Sequence, residues 1–180
     1  MKGTSWIEIN KNALKNNLRF IQNFLNEGVR VSSVVKGNAY GHGIEEFVCI
    51  AQECGISHFS VFSVDEAERV MQVKAPDTEV MIMGWIGRDQ MEWVIDNGLQ
   101  FFVYEPSTVY EAVIAAARLG KKARIHIELE TGMNRTGFKR KELKQLIDLI
   151  HENPKTFEVK GLCTHYAGAE SIANHVRVMN

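Results

Sequence analysis

The chain has 180 residues and a mass of 20.4 kDa, enough for one ordinary domain of about 150 residues. Hydrophobic residues make up 45% of it and charged residues 24%, a globular composition that excludes a disordered or fibrous chain. The 21 Lys and Arg residues balance the 22 Asp and Glu residues, so the chain lacks the basic excess of a nucleic-acid binder or a polybasic membrane-surface protein. A small ligand or substrate fits this composition better.

The N-terminus and the cysteines show no signal for export or for a metal site. The N-terminus lacks the apolar stretch of a secretory signal, and no run approaches the roughly 18 apolar residues of a membrane span. Cys49, Cys54 and Cys163 are odd in number and lack C-x-x-C spacing, which argues against a disulfide framework or a zinc site. We therefore expect buried free thiols, a cytoplasmic location, no membrane segment and no metal.

Two patterns precede residue 29. Residues 6–9 alternate in polarity like an edge strand. Apolar residues then recur at helical spacing, which predicts an amphipathic helix carrying Leu14, Leu18, Ile21 and Leu25. Beyond this opening, short β-rich runs alternate with amphipathic stretches. Strands are predicted at residues 29–35, 58–62, 79–83, 100–103, 124–129 and 157–163.

Helices are predicted between these strands. One covers residues 44–54, a second begins at Pro106 and ends before Gly120, and a third carries the stripe Leu143, Leu146, Ile147 and Ile150. Repeated alternation predicts an α/β fold with a parallel sheet, in which loops at the carboxyl ends of the strands carry the chemistry. About six strands fall short of the eight of a (β/α)8 barrel. Residues 171–180 begin a further helical pattern without a terminating signal, so we expect the chain to end within its fold.

The most informative segment extends from Val34 to Gly43 and reads V-V-K-G-N-A-Y-G-H-G. Lys36 ends an apolar run and precedes a glycine-containing loop. A lysine at the end of a buried strand can act as a nucleophilic amine in Schiff-base chemistry, because partial desolvation favours the uncharged amine. Alternatively, the ammonium group stays in water at a sheet edge while its stem packs on apolar surface. The spacing alone leaves both interpretations open.

Three segments of this chain resemble alanine racemases, the barrel-fold group of pyridoxal-phosphate enzymes. The lysine segment is similar to that family's cofactor-lysine signature, with Gly37 where members commonly have alanine. The segment E-T-G-M-N-R-T-G-F from Glu130 resembles the family's D-T-G-M-x-R-x-G-F block, and T-H-Y-A from Thr164 resembles its T-H-F-A. The resemblance extends from Trp6 to the end of the chain. It implies a (β/α)8 TIM-type barrel, incomplete here, with residues 1–180 as the N-terminal part of the pyridoxal-phosphate-binding domain and the C-terminal β domain absent from this chain.

The resemblance implies three residues around the cofactor, pyridoxal 5'-phosphate. Lys36 would form the Schiff base and act as one of two acid/base groups on the substrate α-carbon. Tyr40 would bind the cofactor phosphate through its hydroxyl, and His165 would lie beside the cofactor ring. The simpler alternatives are a loop aromatic for Tyr40 and a hydrogen-bonded core residue for His165, which has no metal-site spacing to a second ligand.

The resemblance also implies a group for the substrate. Arg135 would approach the cofactor's phenolic oxygen and the substrate carboxylate, and Met133 would contact the substrate. Alternatively, Arg135 is a surface residue paired with Glu130 or Glu142, an arrangement that adds little stability. Many family members carry a lysine, often carbamylated, at the position of Glu128. We expect Glu128 to supply that anion directly and to hold Arg135 in place.

The activity implied by the resemblance is interconversion of L-alanine and D-alanine, which supplies D-alanine for peptidoglycan. The family resemblance implies a homodimer, with a small amino acid as substrate and no nucleic-acid partner. In the family, a tyrosine of the partner subunit's C-terminal domain serves the second face of the substrate. We therefore expect this chain alone to be weakly active or inactive, with strand edges open to association. The alternatives are a racemase for serine or a basic amino acid, and a non-catalytic pyridoxal-phosphate-binding barrel.

Overall fold

The computed structural model describes residues 5–166. The chain divides into two compact units, Met1–Trp85 and Ile86–Asn180. Within residues 5–166 each unit alternates strands and helices and carries three strands, so the predicted α/β class with about six strands is confirmed. The helical pattern predicted for residues 171–180 lies outside the described residues. In residues 5–166 no helix combines the length and the apolar character needed to cross a membrane.

The first unit contains a three-stranded parallel sheet. Its elements are, in chain order, α1 (Lys11–Gln22), β1 (Ser33–Val34), α2 (Lys36–Tyr40), α3 (Ile44–Glu53), β2 (His58–Val61), α4 (Val64–Val73) and β3 (Glu79–Ile82). The strand order is β1-β2-β3, and both pairs are parallel. All four residues of β2 are buried because helices α3 and α4 turn apolar residues inward at helical spacing, such as Val48 and Ala67.

The second unit repeats this pattern. Its elements are α5 (Met91–Asp96), β4 (Gln100–Val103), α6 (Pro106–Leu119), β5 (Ala123–Glu128), α7 (Arg140–Glu152) and β6 (Phe157–Cys163). The order β4-β5-β6 is again parallel. Helix α6 starts with Pro106 and ends at Gly120 in the left-handed conformation, as the sequence predicts.

Three sequence expectations were wrong. Residues 6–9 form no strand: they have no partner strand among the described residues, and the Trp6 side chain is 77% exposed. Strand β1 is confined to two residues because its register with β2 runs only from Ser33 opposite Phe59 to Val34 opposite Ser60. Of the three thiols expected to be buried, Cys49 is exposed, and Cys54 and Cys163 are only half-buried.

Parallel strands bring their carboxyl ends to one edge of each three-stranded sheet. In the first unit, the segment after β1 and the segment after β2 therefore lie side by side. In the second unit, the loops after β4, β5 and β6 share an edge in the same way. Every residue that the sequence analysis singled out for chemistry lies in one of these segments or at the end of its strand.

Candidate functional site

Lys36 lies at the carboxyl end of β1. The preceding residue, Val35, is fully buried, and its amide N–H donates to the Ser60 carbonyl oxygen at 2.8 Å, which extends the contact with β2 by one residue. Lys36 itself is half-buried. The strand end predicted for Lys36 is thus observed, and both interpretations of the amine remain compatible with this exposure.

The segment after Lys36 is a single left-handed helical turn. Gly37, Asn38, Ala39 and Tyr40 have φ angles of 61°, 54°, 53° and 54°. Only glycine adopts such angles freely, and each other residue costs roughly 1–2 kcal/mol there. The turn buries Ala39 and leaves the Tyr40 side chain 64% exposed, four residues from Lys36. Lys36 and Tyr40 therefore belong to one rigidly shaped segment with a free hydroxyl-bearing ring at its end.

His42 closes this segment. Its Nδ1 atom lies 2.8 Å from the carbonyl oxygen of Ala39. This contact ties the imidazole to the backbone of the left-handed turn. His42 therefore has a structural role in the loop.

Residues of the other two motifs line one shallow cleft in the second unit. The cleft brings together all the site residues predicted from those motifs, namely Glu128, Met133, Arg135 and His165, along with Thr131, Thr136 and Thr164. Glu128 ends β5, and Thr164 and His165 follow β6. Thr131 Oγ1 and Thr164 Oγ1 are 2.6 Å apart, a hydrogen bond that joins the loop after β5 to the loop after β6.

Arg135 is exposed at this cleft, and the carboxylates that could have paired with it accept other donors. Glu130 accepts the backbone N–H of Gly132, and Glu142 accepts the backbone N–H of Lys139 at 2.7 Å. Within residues 5–166 Arg135 forms no salt bridge with either of them. The guanidinium group is therefore available to bind an anion from solution, and its planar fork suits a carboxylate.

Glu128 is a buried carboxylate that lines the same cleft as this arginine. Its side chain is only 6% exposed, and Oε1 accepts a hydrogen bond from Thr136 Oγ1 at 3.1 Å. Burying a charge is costly unless it is paired or well hydrogen-bonded. One hydroxyl donor leaves part of the carboxylate's hydrogen-bonding capacity unused, so a cation in the cleft would be favoured there.

The loop that carries Arg135 is shaped by its backbone. Phe138 returns to β5, where its N–H donates to the Glu128 carbonyl oxygen at 2.8 Å and its own carbonyl oxygen accepts the N–H of Glu130 at 3.1 Å. Gly137 has φ of 114°, and a Cβ there would lie 2.6 Å from the Glu130 nitrogen. Only glycine fits this close backbone approach, so the glycine in the motif is a geometric requirement of the loop.

Two titratable side chains at the same edge were missed by sequence reasoning. Tyr104 directly follows β4, and partial burial raises the pKa of its hydroxyl, with the negative charges of Glu105 and Glu128 adding to the shift. Partial burial, together with the charge of Glu128, raises the pKa of the Cys163 thiol to about 12. The signal for Tyr104 was its position after a predicted strand. Both groups are uncharged at neutral pH.

Glu66 and Arg69 of α4 were also missed. Glu66 Oε1 accepts the N–H of Gly37 at 2.6 Å, and Arg69 donates to Asn38 Oδ1 at 2.8 Å. Both contacts are with the left-handed turn, and no local pattern pointed to them because they lie about 30 residues further along the chain. Among residues 5–166, no group of three or more His, Cys, Asp or Glu side chains is arranged to hold a metal ion.

Comparison with known proteins gives a consistent answer. The family model described as alanine racemase, N-terminal domain, matches residues 9–178. An alanine racemase from Listeria monocytogenes is 30% identical over 168 residues, which cover 93% of this chain and 44% of the relative. The chain thus spans less than half the length of this relative.

Solved structures agree on the fold. An alanine racemase from Clostridium difficile 630 superposes with a TM-score of 0.88 and 26% identity, covering 100% of this chain and 48% of that one. A histidine racemase from Leuconostoc mesenteroides superposes with a TM-score of 0.83 and 22% identity over 94% of this chain and 45% of its own, a likeness of fold alone. This likeness confirms the predicted fold class, that of an incomplete (β/α)8 barrel. The chain belongs to the alanine racemase family and matches its N-terminal domain.

Proposed function

We propose that this chain supplies the cofactor lysine of a pyridoxal-phosphate-dependent racemase that interconverts L-alanine and D-alanine. The observation that carries the proposal is the position of Lys36, a half-buried lysine just beyond the first strand of a chain in the alanine racemase family. Residues 1–180 would form the N-terminal part of the cofactor-binding barrel domain, and the family's C-terminal β domain would lie outside them.

The side chains present fit pyridoxal phosphate by their chemistry. Lys36 offers an amine for an aldehyde, and the exposed Tyr40 offers a hydroxyl that can donate to a phosphate oxygen. Arg135 offers a guanidinium group for an oxyanion, and His165, exposed at the same cleft as Arg135, offers an imidazole to lie beside an aromatic ring. When bound, the cofactor supplies the aldehyde and a conjugated ring that spreads the negative charge left by a departing α-proton.

The chain's own residues would then orient the substrate and move one proton. The Arg135 fork would bind the substrate carboxylate, and Met133, 41% exposed in the same cleft, would contact the substrate. The Lys36 amine would act as general base and acid at the α-carbon from one face. The group on the opposite face would come from the partner subunit, so a homodimer and its C-terminal domain are part of the proposal.

Glu128 would hold Arg135 in place. Its buried carboxylate lines the same cleft, and its only described side-chain donor is the Thr136 hydroxyl. A negative charge in this position would favour the guanidinium group near it. Glu128→Gln keeps the size of the side chain and removes its charge. We expect this variant to lower the yield of pyridoxal phosphate that borohydride traps on Lys36. Unchanged trapping and turnover would contradict this role.

The wider role follows from the reaction proposed. D-alanine made in the cytoplasm would serve as a precursor of peptidoglycan. The proposal competes with a racemase of this family acting on serine or a basic amino acid, and with a barrel that binds pyridoxal phosphate without catalysis.

Borohydride trapping tests the proposal. The chain is incubated with pyridoxal phosphate, reduced with borohydride and analysed by peptide mass spectrometry. One phosphopyridoxyl group is expected on Lys36, lost in Lys36→Ala and retained in Lys74→Ala, where Lys74 is a comparably half-buried lysine of the same unit. Labels spread evenly over surface lysines would contradict the proposal.

The same assay separates the competing functions. An amino acid that occupies the site displaces Lys36 from the cofactor and protects it from reduction. Alanine is expected to protect Lys36 at a lower concentration than serine, lysine or histidine. Stronger protection by one of the others would favour a racemase of different specificity, and no protection by any of them would favour a non-catalytic barrel.

A further inference from the structure

We infer that Glu66 and Arg69, both on α4, hold the left-handed turn after Lys36 in its strained shape and thereby position Lys36 and Tyr40. They are positioning residues, because neither belongs to the group of side chains assigned to cofactor or substrate. This inference rests on the proposed function, in which Lys36 and Tyr40 act together on one cofactor.

The turn needs support from outside itself. Asn38, Ala39 and Tyr40 all have φ near 54°, in the left-handed region that side chains other than glycine avoid. At roughly 1–2 kcal/mol for each residue, three in succession would favour a return to ordinary backbone angles. Such strain persists only where surrounding contacts over-determine the local structure.

Glu66 provides the first of these contacts. Its Oε1 accepts the N–H of Gly37 at 2.6 Å, and its Oε2 accepts the N–H of Phe62 at 2.9 Å. Gly37 follows Lys36 directly, and Phe62 follows the last residue of β2. One carboxylate therefore joins the carboxyl ends of two neighbouring strands through two charge-assisted hydrogen bonds, which are shorter and stronger than neutral ones.

Arg69 provides the second contact. Its Nη2 donates to Asn38 Oδ1 at 2.8 Å, and the same Asn38 oxygen accepts the N–H of Ile44 at 3.2 Å. The guanidinium group is itself held by Glu45, with Nε to Oε1 at 2.6 Å and Nη2 to Oε2 at 2.5 Å. These bonds connect α4, the first turn of α3 and the middle of the left-handed turn.

The ion pair between Arg69 and Glu45 orients the Arg69 guanidinium group more than it stabilises the fold. The hydrogen bond from Arg69 lowers the pKa of the Glu45 carboxyl, so this partner is ionised at neutral pH. Both side chains are part-exposed, and such pairs add little to the free energy of unfolding. A bidentate pair nevertheless fixes the orientation of a guanidinium group, and here that orientation aims one N–H at Asn38.

Relaxation of the left-handed turn would move Lys36. Its backbone continues into the N–H that Glu66 binds, so a relaxed turn would displace the amine and the Tyr40 hydroxyl relative to each other. A misplacement of about 1 Å in a reacting group can cost about a hundredfold in rate. We therefore expect loss of the Glu66 contact to slow the reaction of Lys36 with an aldehyde while leaving most of the fold intact.

The test compares Glu66→Gln with Glu68→Gln in the full chain. The first substitution keeps the size of the side chain, but the amide nitrogen that it introduces cannot accept the second N–H. Glu68 is an exposed residue of the same helix, so Glu68→Gln removes the same charge at a position outside the two hydrogen bonds of Glu66. The readouts are the rate of borohydride-trapped labelling of Lys36 by pyridoxal phosphate, and amide hydrogen exchange at Gly37 and Phe62.

For Glu66→Gln we expect exchange at Gly37 and Phe62 to be at least about tenfold faster and trapping at Lys36 about tenfold slower. Glu68→Gln should match the wild type in both. Unchanged exchange and trapping in Glu66→Gln would overturn the inference, and so would faster exchange with unchanged trapping. If Glu66→Gln fails to fold, Arg69→Lys decides by the same two readouts, since lysine keeps the charge and loses the fork.

The two proposals can fail separately. A wild-type chain that shows no selective trapping at Lys36 would overturn the proposed function and the positioning role that rests on it. The exchange rates at Gly37 and Phe62 would still report whether Glu66 holds the turn.

Discussion

Two glycines in the motifs meet different demands on the backbone. Gly37 and Gly137 both have positive φ, 61° and 114°. A Cβ added to Gly37 would have no atom within 4 Å, whereas one added to Gly137 would lie 2.6 Å from the Glu130 nitrogen and 2.7 Å from the Leu129 carbonyl carbon. Position 37 thus requires only a positive φ angle, whereas position 137 also requires the space that a Cβ atom would fill.

Alanine substitutions should separate these demands. Gly37→Ala is expected to lower the free energy of unfolding by about 1–2 kcal/mol, the cost of the left-handed angle. Gly137→Ala is expected to cost about 3 kcal/mol or more, because backbone atoms must also move apart. Urea unfolding followed by circular dichroism measures both. Equal losses in the two variants would contradict this account.

The Cys163 thiol offers a test at the same scale. With its pKa raised to about 12, only about one thiol in ten thousand is ionised at pH 8, against about a quarter for an ordinary cysteine. Alkylation of Cys163 by iodoacetamide at pH 8 should therefore be at least about tenfold slower than that of the exposed Cys49. Peptide mass spectrometry measures the two rates.

Alkylation of the unfolded chain is the control for the comparison of Cys163 with Cys49. In urea the two thiols should react at similar rates, and a difference that persists there would contradict the explanation by burial. Folding favours the protonated thiol, so its contribution to stability is complete below about pH 9 and is lost as the pH rises toward about 12.

At the scale of elements, helix α7 shows how much a periodic stripe can predict. Its bounds, Arg140–Glu152, enclose the predicted stripe of Leu143, Leu146, Ile147 and Ile150. Only Leu146 is buried, at 5% exposure, and Ile147 is 48% exposed. Leu146 lines a small apolar cavity together with Val109 of α6 and Phe138. Helical spacing located the helix and its inward side, but the packing partners decided which residue is covered.

Adjacent substitutions in α7 test this difference. Leu146→Ala is expected to lower the free energy of unfolding by about 2–5 kcal/mol, because it leaves a cavity among α6, α7 and Phe138. Ile147→Ala should change it by less than about 1 kcal/mol, since its side chain is already half in water. Urea unfolding of the two variants gives both values. Similar losses would mean that the stripe is buried as a whole.

Strand β1 shows that a β-rich run does not predict how long the paired strand will be. The β-rich run 29–35 is long enough for a strand, but only Ser33 and Val34 pair with β2. A strand exists only where a partner supplies hydrogen bonds, and β-propensity describes how well a residue fits such a surface once it is present. The length of β1 was therefore not readable from its own residues.

At the scale of the whole molecule, the 21 Lys and Arg residues nearly balance the 22 Asp and Glu residues. Several large apolar side chains are exposed, including Phe24 at the end of α1 and Leu162 and Tyr166 near β6. The relatives that this chain matches are more than twice its length.

The sequence by itself determined the α/β class and the order of the six strands, and it located the segments that match the family's motifs. These are encoded locally, by polarity that repeats at the period of a helix or strand and by motifs such as the one around Lys36. The grouping of Glu128, Arg135 and His165 in one cleft followed from parallel strands, since their carboxyl ends meet at one edge.

Tertiary structure alone decided how Lys36 is held. The left-handed turn depends on hydrogen bonds that Glu66 accepts and Arg69 donates, both about 30 residues further along the chain, and neither residue carries a local signal for that role. Exposure was decided in the same way at Cys49 and Ile147, which local patterns assigned to the core. A hydrogen-bond partner or a covering surface comes from chain folded elsewhere, so no window of neighbouring residues contains it.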